Sequence, residues 1–388
     1  MSKMPFSPAD ILLPKKDFDK WSTVACDQYT SQRDYWENAD KTVGKAPSAL
    51  RIALPEVYLN DADVNDRIKK INGTMKEYLE ADIFNEYKDA MIFVERKLKD
   101  GRTRKGIVGK IDLEAYDYTV GSTSAVRATE GTVLSRIPPR VEIRKDALIE
   151  LPHIMVLIDD SENEVVPSEP SGEIIYDTPL MLGGGSIRGS LMSENAVNKA
   201  LSALEKQSET HELLFAVGDG NHSLATAKAC YEKDKSNPLA RYALVEIVNI
   251  HDPALDFEPI YRVVFGVDTE KMLNEAKKLF SDCTENKVVT VVNGREDSFC
   301  VNGLTAGVLQ SFIDKYIEEN GGEVDYIHGE NDLRGLCDKP DTVGFIFDGI
   351  KKSELFPYVE KNGALPRKTF SMGEAYDKRY YMECRKIK

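Results

Sequence analysis

The sequence predicts a mixed α/β fold of the α+β kind, and three observations carry the prediction. Short apolar runs alternate with stretches of helical spacing along most of the 388 residues. One such run, Leu213 to Val217, stops at Gly218-Asp219-Gly220 and gives way to a small-residue helix opening at Asn221. After Thr269 the alternation repeats in kind, with apolar runs and amphipathic stretches in turn.

In chain order the expectations are these. Residues 1–60 read as mostly irregular, anchored on the body by Trp21 and Trp36. Asp61 to Phe84 reads as an amphipathic helix, with Val64, Ile68, Ile71, Met75 and Leu79 at helical spacing. Met91 to Leu98, an Asp100-Gly101 turn and Ile107 to Tyr118 make a β-hairpin. Gly121 to Pro139 is a polar loop or short helix bearing Arg127, Glu130 and Arg136. His153 to Ile158 is a buried strand, and Asp159 to Pro170 an acidic surface loop. Ser193 caps a helix whose apolar face carries Ala196, Val197, Ala200, Leu201 and Leu204. Strands follow at Tyr242–Ile250 and Tyr261–Phe265. Helices near 269–280 and 304–319 bracket a strand near 287–292, and a strand at Thr342–Phe347 precedes a helix at Ser353–Val359. Arg379 to Ile387 alternates loosely, as a last strand would. A prior of ~150 residues per domain gives two or three domains. The domains are expected at 1–120, 121–268 around the glycine turn, and 269–388.

Composition narrows the function. Hydrophobic content of 41% and charged content of 30% fit a globular protein. No apolar run approaches the ~20 residues of a membrane span, so no membrane partner is expected. Pro5, Pro8, Asp10 and Pro14 do not make a signal peptide, and a cytoplasmic location is expected. A net charge of −14 argues against nucleic acid, which needs a basic face. The six cysteines form no C-x-x-C pair and the five histidines are dispersed, so a His/Cys metal site is not indicated. Carboxylate-held Mg²⁺ stays open. So does a homo-oligomer.

The segment Leu213 to Tyr231 carries the most chemistry. A strand that turns through glycines into a helix N-terminus gathers backbone N–H groups suited to a phosphate. Gly218, Gly220, Asn221 and Ser223 would supply that cradle. Asp219 and His222 would stand at its mouth, able to hold a metal or move a proton. The alternative is a tight strand–helix connection whose polar residues only cap the helix.

Four further constellations join it. Arg127 and Glu130 flank small residues, as an anion clamp and a catalytic carboxylate would, or as a local ion pair in a loop. Gly183 to Ser190, holding Arg188, reads as a phosphate-cradling loop or a mobile hinge or lid. It lacks the ending of a P-loop. The strand end at Asn249, His251 and Asp252, with Arg262 further on, suits substrate binding, or His251 is structural. Arg367 and Lys368 form a cationic island fit for a negative ligand, or a charged surface turn. Together they favour a phosphorylated or carboxylated small molecule. No Gly-x-Ser-x-Gly elbow is present.

Phe215 to Ser223, Ala243 to Asn249 and Pro366 to Phe370 resemble the DUF1015 family over nearly the whole chain. A more distant likeness links Asp219-Gly220-x-His222 to the Asp-Gly-His-His-Arg type motif of the ParB/sulfiredoxin-like superfamily, which includes free-serine kinases. That resemblance implies a ParB/sulfiredoxin-like core with additional α/β elements, and a motif that grips nucleotide phosphates. Ser223 stands where the motif carries arginine, so the cation must come from Arg127, Arg188, Arg262 or Lys368. Family genes often lie beside serine-biosynthesis genes, which implies serine or phosphoserine as substrate.

The resulting expectation is a nucleotide-dependent phosphotransferase acting on a small hydroxy amino acid. ATP or ADP and Mg²⁺ are its expected cofactors. Asp219 would hold the metal, His222 a phosphate oxygen, and Glu130 the proton of the substrate hydroxyl. Arg127 would clamp an anion, and Arg262 and Lys368 would complete a cationic lining. The alternatives are a phosphoserine phosphatase and a ligand sensor without turnover.

Overall fold

A computed structural model describes residues 4–119 and 121–388. They form two compact units. The first holds Met1–Leu255, Val359–Ala364 and Glu374–Lys388, and the second holds Asp256–Tyr358 and Leu365–Gly373. The boundary expected near 268 thus falls a little earlier in the chain. The one expected at 120 lies within a single sheet, since Thr103–Asp112 and Val126–Ala128 both belong to it.

The first unit is organised by a ten-stranded mixed sheet. From one edge its path runs Ile174–Pro179, Ser186–Leu191, Ile92–Lys97, Thr103–Asp112, Tyr242–Asn249, Met155–Ile158, Phe215–Asp219, Val126–Ala128 and Tyr116–Asp117. Phe6–Ser7 pairs with Thr103–Asp112 off that path. The centre is buried on both faces, which is why its strands read as unbroken apolar runs rather than alternating ones. One face carries Phe215, Val217, Val156, Val245 and Ile247 against the helices Glu194–Ser208 and Asn221–Lys233. The other carries Leu244, Val108, Val94 and Ile187 against the N-terminal region and the returning C-terminal segment.

Several expectations hold here. Ser193 caps its helix, accepting from the Ala196 amide at 3.3 Å. The hairpin forms from Ile92–Lys97 and Thr103–Asp112. Trp21 and Trp36 are buried, and the Trp21 indole donates to the Met382 carbonyl at 2.9 Å. The helix expected at 61–84 spans Val64–Glu80 and buries Ile71 and Met75.

Two expectations fail. Residues 1–60 are not mostly irregular: they hold the strand Ala9–Pro14, paired with Phe84–Ala90, and the helix Arg33–Val43. The first strand ends in proline, and its partner is largely charged and exposed on one side, so neither shows a clean alternation. The Gly183–Ser190 segment is not a cradle or a lid. A short turn at Met181–Gly183 leads straight into Ser186–Leu191, which is paired on both sides in the sheet.

The second unit is a five-stranded antiparallel sheet in the order Arg295–Val301, Asn286–Val292, Thr342–Phe347, Tyr261–Phe265, Glu323–Ile327. Helices Thr269–Leu279 and Thr305–Asn320 cover one face through Met272, Ala276, Leu309 and Phe312. Helix Glu330–Leu336 covers the other through Leu333. No described helix is long and apolar enough to cross a membrane.

Candidate functional site

The site lies at one end of the first sheet, where four chain directions meet by register. Val126–Ala128 runs parallel to the signature strand Phe215–Asp219, with Ala128 level with Val217. Both therefore end on the same side, and the loops at 129–133 and 218–222 are neighbours. Met155–Ile158 runs antiparallel, with Met155 level with Asp219, so its entry at His153 arrives there too. Tyr380–Tyr381 pairs with Thr23–Val24 and brings Lys378 and Asp27 to the same end.

The turn itself is tightly held. Gly220 adopts φ 81°, a left-handed conformation that glycine enters without penalty. A β-carbon at Gly220 would lie 3.0 Å from the Ile154 Cα. Being glycine, residue 220 gives the helix no side-chain cap. The first helical bond runs from the Leu224 amide to the Gly220 carbonyl, so the amides of Asn221, His222 and Ser223 lie ahead of it. Asn221 is buried. Its Nδ2 donates to the Val217 carbonyl at 3.3 Å, while its Oδ1 is buried without a partner. Thr129 donates to the same carbonyl at 2.6 Å. The Val133 amide donates to His222 Nε2 at 3.3 Å, so the imidazole accepts at that nitrogen and its Nδ1 is the one left to carry a proton.

Charge gathers around this turn. Lys378 Nζ lies 3.5 Å from Asp219 Oδ2, and both side chains are largely buried. Arg127 is buried, with Nε donating to the Ser124 carbonyl at 2.8 Å and one terminal nitrogen lacking a partner. Glu130 is half-buried in the adjoining loop. His153 is buried among polar partners. Its Nδ1 meets the Tyr381 hydroxyl at 3.0 Å, and its Nε2 meets Ser223 Oγ at 3.0 Å and Asp27 Oδ2 at 3.3 Å. Burial alone would lower the His153 pKa, but the Asp27 carboxylate, with Asp219 and Glu56 beyond it, raises it above the usual histidine value. Burial opposes ionisation of Asp27 as well, yet the imidazolium and Lys378 hold its carboxyl well below the ordinary range.

The structure therefore brings together Glu130, Gly218, Asp219, Gly220, Asn221, His222 and Ser223, whereas Arg127, on the adjoining strand, turns its guanidinium back to the Ser124 carbonyl. It does not bring Arg188 or His251 to them. Arg188 sits five strands away from the signature strand, paired with Asp177 at 2.8 Å. His251 follows the strand parallel to Met155–Ile158, so it emerges at the far end of the sheet, where it meets Asp159 at 2.6 Å. Arg262, Arg367 and Lys368 belong to the second unit. Arg262 is buried there, bound to Gln310 at 2.8 Å and stacked on Tyr326, and burial lowers its pKa to about 10. Arg367 and Lys368 are exposed.

Sequence reasoning missed Asp27, His153, Lys378 and Tyr381. Asp27 opens a conspicuously polar segment, which was the available signal. The other three had none, because only pairing between distant strands places them. Among the described residues, no group of three or more His, Cys, Asp or Glu is arranged to hold a metal. Asp219, expected as a metal ligand, faces Lys378.

Fold and site together define a mixed α/β protein with a cation and two carboxylates gathered at a glycine-opened helix N-terminus. The chain belongs to the DUF1015 family, described as a protein of unknown function, whose model matches residues 5–367. No curated protein matches it. Among solved structures, a variant free serine kinase in complex with AMP aligns at TM-score 0.41 and 13% identity, over 70% of this chain and 92% of that one. SbnI with a C-terminal truncation, from Staphylococcus aureus, aligns at 0.40 and 12%, over 69% and 82%. A conserved hypothetical protein from Pyrococcus furiosus aligns at 0.35 and 12%, over 70% and 90%.

Proposed function

We propose that this protein is a nucleotide-dependent phosphotransferase acting on a small hydroxy amino acid, with serine as the first acceptor to test. One observation supports this most: a helix N-terminus without a side-chain cap lies beside Lys378, at the end of the sheet where Asp219 and Glu130 gather. Phosphoryl transfer asks chiefly for positioning and charge neutralisation, and that is what these groups offer.

In this reading the first-turn amides and Lys378 take phosphate oxygens. Lys378 supplies the cation that Ser223 does not. His222 donates from Nδ1 to a further phosphate oxygen. Asp219 would be the one protein carboxylate for a nucleotide-borne Mg²⁺, which would neutralise phosphate charge there. Arg127 binds the acceptor carboxylate. Glu130 takes the hydroxyl proton as the acceptor oxygen bonds to the terminal phosphorus. The bond from that phosphorus to its bridging oxygen breaks, and the nucleotide leaves one phosphate shorter. Arg188, His251 and Arg262 carry no step here.

The test is incubation with ATP or ADP, Mg²⁺ and serine, with mass analysis of products. Conversion of serine to phosphoserine with loss of nucleotide is expected. Asp219→Ala should abolish turnover, and Lys378→Ala should lower it about 100-fold, the scale of losing one preorganised charge contact. Release of inorganic phosphate from phosphoserine without nucleotide would favour the phosphatase instead. A melting shift with ligand and no product would favour a sensor.

A further inference from the structure

A cavity of about 150 Å³ begins where the signature turn ends. Ser223 and Thr226, three residues apart on the signature helix, line one side of it, and His153 and Ile154 line the floor. Most of the remaining wall is aliphatic: Leu54, Met75, Ile143, Ile149 and Leu151 among others. The charged side chains on its wall neutralise one another. Arg140 pairs with Glu56, and Arg144 meets Glu150 at 2.5 Å. Cys26 also lines the cavity, and burial, then the neighbouring Asp27, pushes its thiol up to about 12, so it is a neutral wall and not a nucleophile.

The shape of this chemistry is specific. One end presents Ser223 Oγ, held 3.0 Å from a His153 imidazole that Asp27 and Tyr381 also engage. The rest of the wall is mostly apolar, and the charges on it are paired. Serine, with two side-chain heavy atoms, would leave most of it unfilled, and a cavity of about 150 Å³ accommodates one six-membered ring.

We propose that the cavity takes the apolar body of the phosphoryl acceptor, an uncharged group of up to about six heavy atoms whose hydroxyl rests at Ser223. This rests on the phosphotransferase reading and sharpens it. The acceptor is a hydroxy amino acid bulkier than serine. Ser223 belongs to the first turn of the helix that holds the phosphates in that reading, so a hydroxyl placed there is beside the group it would receive.

The test has a binding arm and a turnover arm, both on the full chain. Benzyl alcohol is titrated into the protein by calorimetry without nucleotide. Binding is expected, weakened at least tenfold by Ala147→Leu, which fills the cavity from its lining. Leu59→Phe, at a half-buried lining position that tolerates bulk, does the same should the first variant not fold. Absence of benzyl alcohol binding, or unchanged binding in both folded variants, overturns the proposal. Displacement by adenosine also overturns it, since the cavity would then hold the base. In the turnover arm, 3-phenylserine should exceed serine at least tenfold in kcat/KM, and Ala147→Leu should reverse that order. Equal transfer to serine by wild type and Ala147→Leu, with no gain for 3-phenylserine, removes the cavity from the reaction and leaves the phosphotransferase standing. Transfer to no acceptor while benzyl alcohol binds and both variants weaken it overturns the phosphotransferase and keeps the cavity as a ligand site.

Discussion

At the scale of single residues, Asp27 and His153 keep each other ionised in a buried place. The sign of the resulting pH dependence follows from the two shifts. His153 is raised, so its contribution is complete below its unfolded value of ~6.5 and disappears as pH rises through the higher folded value. Asp27 is lowered, so its contribution is complete above ~3.9 and disappears as pH falls through the lower folded value. Nuclear magnetic resonance titration should therefore find His153 above the ordinary histidine range. In Asp27→Asn it should titrate lower than in the wild type, because the nearest carboxylate is gone while burial remains. A wild-type His153 that titrates low would refute the pairing. Asp219 and Lys378 form the second such pair, and Asp219→Ala should remove turnover while the far-ultraviolet spectrum and melting curve stay near wild type, since both groups keep contact with solvent.

At the scale of elements, the signature turn shows how local chemistry fixes a site. Gly220→Ala forces a left-handed alanine and sets a methyl against the Ile154 backbone, and should cost ~1–3 kcal/mol by chemical denaturation. Ser193→Ala removes a cap and should cost ~1 kcal/mol, whereas Ser193→Gly should cost only a few tenths. These two features were legible in the sequence because they are local. So were the central strands, whose burial on both faces gives continuous apolar runs, and the helices with wide apolar faces such as Thr305–Asn320. Ser186–Leu191 was not legible, since glycines at 183–185 and 189 suggested a loop. Gly189 is there because the Tyr176 ring lies where a side chain would go, 2.1 Å from a β-carbon. The site was half legible: Arg127, Glu130 and the turn announced themselves through glycine-flanked polar residues. Lys378 and His153 did not, because their role depends on pairings that span much of the chain.

At the scale of the molecule, the chain leaves the first unit at Leu255 and returns to it for good at Glu374. The returning segment is tied in by buried charge. Arg379 lies 2.8 Å from Glu246 and also binds Glu383, all of them buried. Arg385 meets Glu150 at 2.7 Å. Arg379→Met should destabilise the first unit by ~3–5 kcal/mol, because two carboxylates would be left buried without their cation. Deleting 374–388 should abolish cooperative unfolding of that unit in calorimetry, since the Trp21 indole also loses its partner at Met382.

That return has a consequence in time. A ribosome delivers the glycine turn, the carboxylates and the imidazoles long before it delivers Lys378 and Tyr381. Until then Asp219 has no ammonium facing it, Glu246 no guanidinium, and the strand Ala9–Pro14 waits for its bridge to Cys384. A nascent first unit therefore holds its carboxylates ahead of the cations that pair them.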